Sequence, residues 1–315
     1  MVTTFLTTFS AVLQVLILGT IGFVLVKRHV IKAEGLALLT FLLINIFLPC
    51  FSFSNLLVNF RFENFPLWWT LPLWAFGISL YGFLLGVVFI GLGQKTRKRE
   101  LVALMSLQNS GNIPIILIST LFVPAQQHQL FVYLFLFLIG FDILLWTWGV
   151  WLIRRDQEAK LELGRLINPP LIGIFSALIL VALGWQSLVP SFVLHPVQLL
   201  GQCTMPVAIM VIGGSLAMTP LFHVNWREML PVLFGKMVLM PLLGLLVLVS
   251  IKCDYLIGVL MMMEFCVPSA ISLSILGRYY KLENVFINQA IFLGHLVCVV
   301  TMPVFLTLYM YLVKG

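Results

Sequence analysis

Long apolar segments follow one another along the chain, and short polar connections separate them. Each segment contains about 20 mostly apolar residues, which is the length that an α-helix needs to cross the roughly 30 Å of hydrocarbon in a bilayer. The pattern predicts an all-α membrane protein with ten transmembrane helices, numbered here as spans 1 to 10. Their expected bounds are residues 4–26, 35–57, 66–93, 100–122, 129–153, 168–185, 193–219, 228–250, 253–277 and 285–312.

Two pairs of central prolines occupy corresponding positions in the two halves of the chain. Pro49 in span 2 and Pro206 in span 7 are 157 residues apart, and Pro114 in span 4 and Pro268 in span 9 are 154 residues apart. The spacing predicts two five-helix repeats, residues 1–156 and 157–315. Because each repeat crosses the membrane an odd number of times, the second must enter from the opposite face. A 5+5 inverted repeat with interrupted helices is typical of secondary transporters.

The middle of span 4 is unusually polar for a membrane helix. The sequence QNSGNIPIIL, residues 108–117, begins with four polar side chains, a glycine and a proline within seven positions. Proline removes a helical hydrogen bond and clashes with the carbonyl group four residues earlier, and Gly111 permits an unwound backbone. Asn112 followed by Pro114 is typical of a helix start with asparagine as its N-cap. Span 4 is therefore expected to consist of two half-helices that meet near the middle of the membrane.

Span 9 contains a similar interruption. The sequence EFCVPS, residues 264–269, includes Pro268, and Ser269 and Ser272 are expected on the second half-helix. Each second half-helix begins with unpaired N–H groups and a partial positive charge, which favours an anion. Each first half-helix ends in free carbonyl groups, which favour a cation or a protonated acid. The alternative is that Pro114 and Pro268 are ordinary kinks, which are common in membrane helices.

The composition excludes a soluble protein. Hydrophobic residues make up 61% of the 315 residues and charged residues 9%, whereas soluble domains average about 25% charged residues. The formal net charge of +7 does not indicate nucleic-acid binding, because the basic residues are concentrated in short connections. Connections 1–2, 3–4, 5–6, 7–8 and 9–10 contain 14 of the 18 Lys and Arg residues, against three on the opposite side, Arg61, Lys252 and Lys314. The positive-inside rule therefore predicts a protein of the cytoplasmic membrane with both termini extracellular or periplasmic.

Three motifs and the ten-span plan carry a resemblance to a known family. NIFLP in span 2, NSGNIPIIL in span 4 and VPSA in span 9 resemble the auxin efflux carrier family, which includes plant PIN and PIN-like carriers and bacterial malate-permease-like transporters. The resemblance covers the whole chain, and the span 4 motif is most similar to the PIN-like branch. The long hydrophilic central loop of the longer plant carriers is missing here.

The resemblance implies that the helices form two domains with different roles. Spans 1, 2, 6 and 7 would form a scaffold, through which two chains form a homodimer, and spans 3–5 and 8–10 would form a mobile transport domain in which the broken helices cross. Family members carry organic anions, with crossover asparagines near the carboxylate, which here correspond to Asn109 and Asn112. The complete set of candidate substrate-binding residues is Asn109, Ser110, Gly111, Asn112, Pro114, Cys266, Pro268, Ser269 and Ser272.

Four ionisable side chains lie inside predicted spans and are candidates for ion coupling: Asp142, Lys236, Glu264 and His295. A charge at the bilayer centre costs roughly 2.5–3.5 kcal/mol on insertion scales, so such residues are usually functional. Glu264 is expected at the carbonyl end of the first half-helix of span 9, where it should be protonated or paired with a cation. The alternative is a structural pair, for instance with Lys236, and a lone histidine such as His295 is more often a satisfied core residue.

These features together predict a secondary active transporter of a small organic anion, a carboxylate, working by alternating access. Neither a cofactor nor a bound metal is expected, and the coupling ion is H⁺, Na⁺ or none. A sodium-coupled symporter of the bile-acid type is the first alternative, but it would need a cluster of Glu, Gln and Asn beside both breaks. A membrane receptor or enzyme is the second, although no H-E-x-x-H, G-x-S-x-G or phosphate-loop pattern occurs in the sequence.

Overall fold

The computed structural model describes residues 2–91, 97–153, 167–219, 223–251, 253–279 and 285–314, and its regular structure within these ranges is helical, with no strand. The α-helices are α1 (Val2–Lys27), α2 (Ala33–Leu42), α3 (Leu48–Asn59), α4 (Thr70–Gly91), α5 (Lys98–Ser106), α6 (Ile113–Leu121), α7 (Pro124–Leu144), α8 (Val150–Ile153), α9 (Pro169–Ala182), α10 (Ser191–Gln202), α11 (Thr204–Ala217), α12 (Trp226–Phe234), α13 (Met240–Ile251), α14 (Tyr255–Cys266), α15 (Ser272–Tyr279) and α16 (Val285–Lys314).

Seven helical segments among the described residues are long and apolar enough to cross a membrane. Two more apolar helices, α9 and α14, are shorter. The prediction of an all-helical membrane protein is thus confirmed, whereas the number of ten crossings remains a prediction. The seven segments are Thr4–Lys27, Ala33–Asn59, Thr70–Gly91, Pro124–Ile153, Ser191–Ala217, Trp226–Ile251 and Val285–Val313.

Three of these long segments change from α-helix to π-helix for one turn. The π-helical turns are Leu43–Phe47, Leu145–Gly149 and Gly235–Leu239. The first lies directly before Pro49, which has no N–H group to donate and occupies the first turn of α3. Such turns bend a helix and re-aim its side chains, and they are frequent at functional sites. The third contains Lys236, one of the predicted ion-coupling residues.

The helices pack as two groups. In the first group α1 packs along α11, and α3 packs against both α9 and α10. Glycines let these backbones approach closely, because a Cβ at Gly22 or Gly213 would meet backbone atoms of the facing helix. In the second group α4 packs against α5 and α7, and α14 packs against α13 and α16.

α6 and α14 are among the most deeply buried helices in the part of the chain that the structure describes. The side chains of α6 from Ile113 to Ile118 are all buried, and Met261, Met262 and Met263 of α14 have no exposed area. By contrast, many large apolar side chains elsewhere are exposed, such as Ile17 on α1 and Leu84 on α4. An apolar exterior is what a protein presents to lipid, so the pattern of exposure agrees with insertion in a membrane.

Candidate substrate site at the crossing of two broken helices

Two helices are interrupted where the sequence predicts a break in spans 4 and 9. α5 ends at Ser106 and α6 begins at Ile113, while α14 ends at Cys266 and α15 begins at Ser272. The chain leaves α5 at Leu107 and α14 at Val267 in extended conformation. Four helix ends therefore meet inside the protein, two with free carbonyl groups and two with free N–H groups.

The two interruptions cross and bond to each other. The backbone N–H of Asn109 donates to the carbonyl oxygen of Pro268 at 2.8 Å, and the N–H of Ala270 donates to that of Leu107 at 3.0 Å. Gln108 and Ser269 thereby form a single antiparallel bridge. Backbone groups freed by a break inside a membrane must find partners within the protein. Here each break supplies the partners of the other, which holds the crossing together.

Side chains cap the carbonyl end of α5. The hydroxyl of Ser269 donates to the carbonyl oxygen of Leu104 at 2.6 Å, and Nζ of Lys236 donates to that of Met105 at 2.8 Å. Lys236 is only 2% exposed, and its charge lies at the negative end of the helix dipole, where a cation is favoured. Lys236 therefore braces the crossing. The expectation that Ser269 lies on the second half-helix is wrong, because it lies in the break and bonds across it.

Glu264 contacts the same crossing from α14. Its Oε2 accepts a hydrogen bond from the hydroxyl of Ser110 at 2.6 Å, and its Oε1 is buried with no hydrogen-bond partner in the structure. Lys236 and Glu264 form no ion pair with each other within the described residues. The two side chains are close enough to interact electrostatically, but each makes its hydrogen bonds elsewhere: Lys236 bonds to the end of α5, and Glu264 bonds to the span 4 break.

Asn109, Asn112 and His295 form a line of side-chain contacts. Nδ2 of Asn112 donates to Oδ1 of Asn109 at 3.0 Å, and Nδ2 of Asn109 lies 3.2 Å from Nε2 of His295. Asn112 occupies the N-cap position of α6 as predicted, but its side chain makes no capping bond. That part of the prediction is wrong, because the amide bonds to Asn109. The first turn of α6 is therefore left without a side-chain cap.

The crossing borders a cavity of about 120 Å³. The residues that line it include the polar residues of the first break, the start of α15, and Asp142 and Asn168. The predicted site residues that line this cavity are Asn109, Ser110, Gly111, Asn112 and Ser272. The start of α6 and the start of α15 both meet the cavity here, and helix N-termini favour negative charge.

A comparison of the whole sequence with known protein families shows the family to which this chain belongs. The sequence profile of a family described as membrane transport protein matches residues 7–306, which is nearly the entire chain. The chain belongs to the membrane transport protein family. This family contains the auxin efflux carriers and the PIN-like proteins, so the resemblance found in the sequence is confirmed. No curated protein gives a significant match to the chain.

Membership of the membrane transport protein family agrees with a multi-pass membrane protein. A second cavity of about 290 Å³ shares Thr40, Ile44, Val211 and Ile271 with the first. It extends to Ala33, Ala37 and Met218, which are exposed. The two cavities together therefore extend from the crossing to the end of the molecule that carries Lys27, Arg28 and Lys32.

Two cavity residues of this membrane transport protein were missed as site residues. Gln108 is fully buried, lines the cavity, and has no partner for either polar atom of its side chain. Oδ1 of Asn168 caps α9 by accepting from the N–H of Leu171, and its Nδ2 has no hydrogen-bond partner in the structure. Gln108 is the first residue of the polar motif of span 4, so the sequence could have indicated it as a site residue. Asn168 precedes two prolines, a pattern that indicates only a helix start.

The remaining predicted residues lie beside the cavity. Pro268 contributes its carbonyl oxygen to the crossing, and the carbonyl oxygen of Cys266 accepts from the thiol of Cys298 at 3.7 Å. Pro114 is buried in the first turn of α6. Within the described part of the chain, no three His, Cys, Asp or Glu side chains come together as a metal site.

Proposed function

We propose that this membrane transport protein is a secondary transporter that moves a small organic anion across the cytoplasmic membrane by alternating access. The observation that carries the proposal is the crossing itself. The two broken helices present their starts, of which that of α6 has no side-chain cap, and side-chain amides to a cavity inside the molecule. Helix N-termini bind carboxylates and phosphates without needing a basic side chain. A carboxylate fits best, because the cavity of about 120 Å³ holds only a few heavy atoms.

Asp142 and Asn168 add a preference for a second polar group on the substrate. They lie side by side and both line the cavity. A carboxylate side chain accepts hydrogen bonds and repels a second negative charge. We therefore expect a substrate with one carboxylate at the crossing and a hydrogen-bond donor, such as a hydroxyl or an amino group, at its other end.

The ten-span topology is part of the proposal. α5 and α6 together would form one interrupted transmembrane span, and α14 and α15 together would form another. α9 would form a short transmembrane span. The repeats would be residues 1–156 and 157–315. The first packing group of helices corresponds to the scaffold of spans 1, 2, 6 and 7, and the second group corresponds to the transport domain of spans 3–5 and 8–10. A homodimer would form through the scaffold.

This topology predicts the accessibility of single cysteines introduced into a variant without the five native ones. Positions 97–99 and 155–160, the latter outside the described residues, should react with a membrane-impermeant maleimide only from the cytoplasmic side. Positions at both termini should react only from outside. Labelling of the C-terminus from the cytoplasmic side would contradict both the ten-span topology and the inverted repeat.

Under alternating access, the observed conformation corresponds to one state of the transport cycle. The cavity continues toward the basic end of the molecule, while α6 and α14, the half-helices on the other side of the crossing, are packed in the core. With the basic connections in the cytoplasm, this arrangement is the inward-facing state. Movement of the second packing group against the first would expose the crossing to the other side.

A sodium-coupled symporter is the second candidate, and one observation favours it. Oε1 of Glu264 and Oε1 of Gln108 are both buried at the crossing without hydrogen-bond partners. Sodium needs several oxygen ligands, and these two atoms are available. Against it, the ammonium group of Lys236 already occupies the carbonyl end of α5.

Uptake into proteoliposomes tests the proposal. The probes are radiolabelled monocarboxylates in pairs that differ by one hydroxyl, such as lactate with propionate and 3-hydroxybutyrate with butyrate, under an imposed proton or sodium gradient. We expect accumulation of at least one hydroxy acid above protein-free liposomes, and more than of its partner without the hydroxyl. Uptake that requires a sodium gradient would support the symporter. Accumulation of no carboxylate under any gradient would contradict an organic-anion transporter.

A further inference from the structure

His295 joins the crossing through hydrogen bonds whose directions are linked. Its Nδ1 lies 2.7 Å from the carbonyl oxygen of Ile291, one turn earlier on α16. A carbonyl oxygen only accepts hydrogen bonds, so Nδ1 carries a hydrogen. In a neutral imidazole Nε2 is then an acceptor, and it lies 3.2 Å from Nδ2 of Asn109. Neutral His295 therefore requires Asn109 to turn its amino group toward the ring.

The orientation of Asn109 determines that of Asn112. With its Nδ2 at the ring, Asn109 turns Oδ1 toward Asn112 and accepts from Nδ2 of that residue at 3.0 Å. The side of the Asn112 amide that points away from Asn109 then carries Oδ1, which is a hydrogen-bond acceptor. Asn109 is only 3% exposed, whereas Asn112 is partly exposed and lines the cavity. The protonation state of a buried ring is thus linked to the atom that a cavity residue can present to a ligand.

A proton on Nε2 of His295 reverses every bond in this line. Nε2–H becomes a donor, so Asn109 must turn Oδ1 toward the ring in order to accept it. Nδ2 of Asn109 then faces Asn112, which must turn its own Oδ1 to accept. The side of the Asn112 amide that points away from Asn109 now carries Nδ2, a donor. A carboxylate only accepts hydrogen bonds, so it is matched by this second arrangement, whereas the first presents it with the acceptor Oδ1 and leaves only the second hydrogen of an Nδ2 that already donates to Asn109.

We propose that His295 is the proton-binding residue of this transporter, and that its protonation turns Asn109 and Asn112 so that Asn112 donates to a carboxylate in the cavity. The inference rests on the proposed function, which supplies the anion. It assigns the coupling role to His295, because among the four candidate residues only His295 bonds to a crossover asparagine. Asn109 acts as a positioning residue between the proton and the anion.

The surroundings of the ring favour binding of proton and anion together. No acidic side chain of the described residues bonds to His295, and a buried charge needs a partner of opposite sign. A bound carboxylate supplies that partner through the same line of contacts. On its other side the ring borders an apolar cavity of about 300 Å³, to which α1, α6 and α11 contribute no ionisable side chain.

Ionisable side chains also occur on the other helices that pack against α16, and on α16 itself near the ring of His295. Glu264 is bonded to Ser110 and Lys236 to Met105, so neither holds the proton of His295. The charged residues of α5 and α12 lie in the first turns of those helices, at the basic end of the molecule. These ionisable residues include Lys27 on α1, Tyr255, Glu264 and Cys266 on α14, Lys236 before α13, Cys298 on α16, Lys98, Arg99 and Glu100 on α5, and Arg227 and Glu228 on α12.

Nitrogen NMR of the ring tests this inference in the full-length protein. The chain has five histidines, and spectra of ¹⁵N-histidine-labelled protein in lipid, compared with the His295→Gln variant, identify the signals of His295. Without anion we expect the neutral form with hydrogen on Nδ1 at about pH 8, and with the anion bound we expect the doubly protonated form at about pH 5. Addition of the hydroxy acid identified by uptake should produce the doubly protonated form at an intermediate pH. A neutral ring with hydrogen on Nε2, or a ring that stays neutral with the anion bound, would overturn the proposal.

Transport provides the second readout. In wild type we expect faster uptake with an inward proton gradient, and in His295→Gln uptake that no longer differs between about pH 5 and pH 8. The matched control is His195→Gln, a histidine of α10 that does not line the cavity, which should retain the pH dependence, and Glu264→Gln is measured beside it because Glu264 is also buried at the crossing. Loss of the pH dependence in Glu264→Gln but not in His295→Gln would assign the proton to Glu264. If carboxylates are transported but the protonation of the His295 ring does not change, this inference is wrong and the proposed function stands. If the ring changes its protonation but no carboxylate is taken up, only the proposed function is wrong.

Discussion

The Asn112→Ala variant should bind the transported anion about 5- to 150-fold more weakly than wild type while remaining folded. Truncation removes the side-chain amide that lines the cavity and leaves Oδ1 of the buried Asn109 without its donor. An unsatisfied buried polar partner costs about 1–3 kcal/mol, which corresponds to that loss of affinity. The affinity can be measured by titration of purified protein with the carboxylate identified by uptake.

Asn45→Ala is the matched control for this experiment. Asn45 is also an asparagine of a long apolar segment, but its amide bonds only to the carbonyl oxygen of Phe41 on its own helix, and it does not line the cavity. We expect its affinity for the anion to be unchanged. An unchanged affinity in a stable Asn112→Ala protein would instead support the alternative in which Pro114 is an ordinary kink.

Gly82→Ala should destabilise the protein and abolish transport, although residue 82 is not at the cavity. A Cβ at Gly82 would lie 2.8 Å from the carbonyl carbon of Met105 and 2.9 Å from Cα of Ser106, and backbone cannot move aside as a flexible side chain can. Overpacking of this kind costs about 1–3 kcal/mol. It would also displace the end of α5, whose Met105 carbonyl group holds Lys236. Thermal unfolding in detergent and proteoliposome uptake measure the two effects.

The same helix offers the control, Gly77→Ala. Nothing lies within 4 Å of a Cβ placed at Gly77, and alanine has a higher helix propensity than glycine by about 1 kcal/mol. This variant should therefore be at least as stable as wild type and should transport normally. Equal behaviour of the two variants would show that the contact between α4 and the end of α5 does not position the crossing.

The positions of the breaks could be predicted because their causes are local. Pro114 and Pro268 remove helical hydrogen bonds wherever the helices lie, and the polar residues from Gln108 to Asn112 are too costly to expose to lipid. The same reasoning identified the N-cap position of α6. It assigned the wrong partner to the Asn112 amide, because residue spacing does not reveal that Asn109 and His295 lie close by.

The partners of the buried charges could not be predicted for a related reason. Lys236 and Glu264 are an obvious pair when only charge is considered, and each found a different partner in the fold. Hydropathy shows that such residues are buried, but the partner depends on how helices distant in the chain cross. A carbonyl group at the end of a broken helix is a strong partner for an ammonium group, and no side-chain pattern marks it.

The two breaks contribute differently to the site, although they occupy equivalent positions. The first supplies most of the polar side chains of the cavity, from Gln108 to Asn112. The second contributes the backbone groups of Pro268 and Ala270 and the hydroxyl of Ser269, which hold the first in place. We infer that specificity lies mainly in the first break, whereas changes in the second should act on the stability of the crossing.

A structure with the transported carboxylate bound, determined by electron cryo-microscopy in lipid nanodiscs, tests the central claim most directly. We predict density for the anion in the cavity between Asn112 and Asp142, with its carboxylate within hydrogen-bonding distance of the Asn112 side chain and of an N–H group in the first turn of α6 or α15. Density instead in the apolar cavity lined by Val12, Leu117 and Val299, with no ligand at Asn112, would contradict the assignment of the crossing as the substrate site.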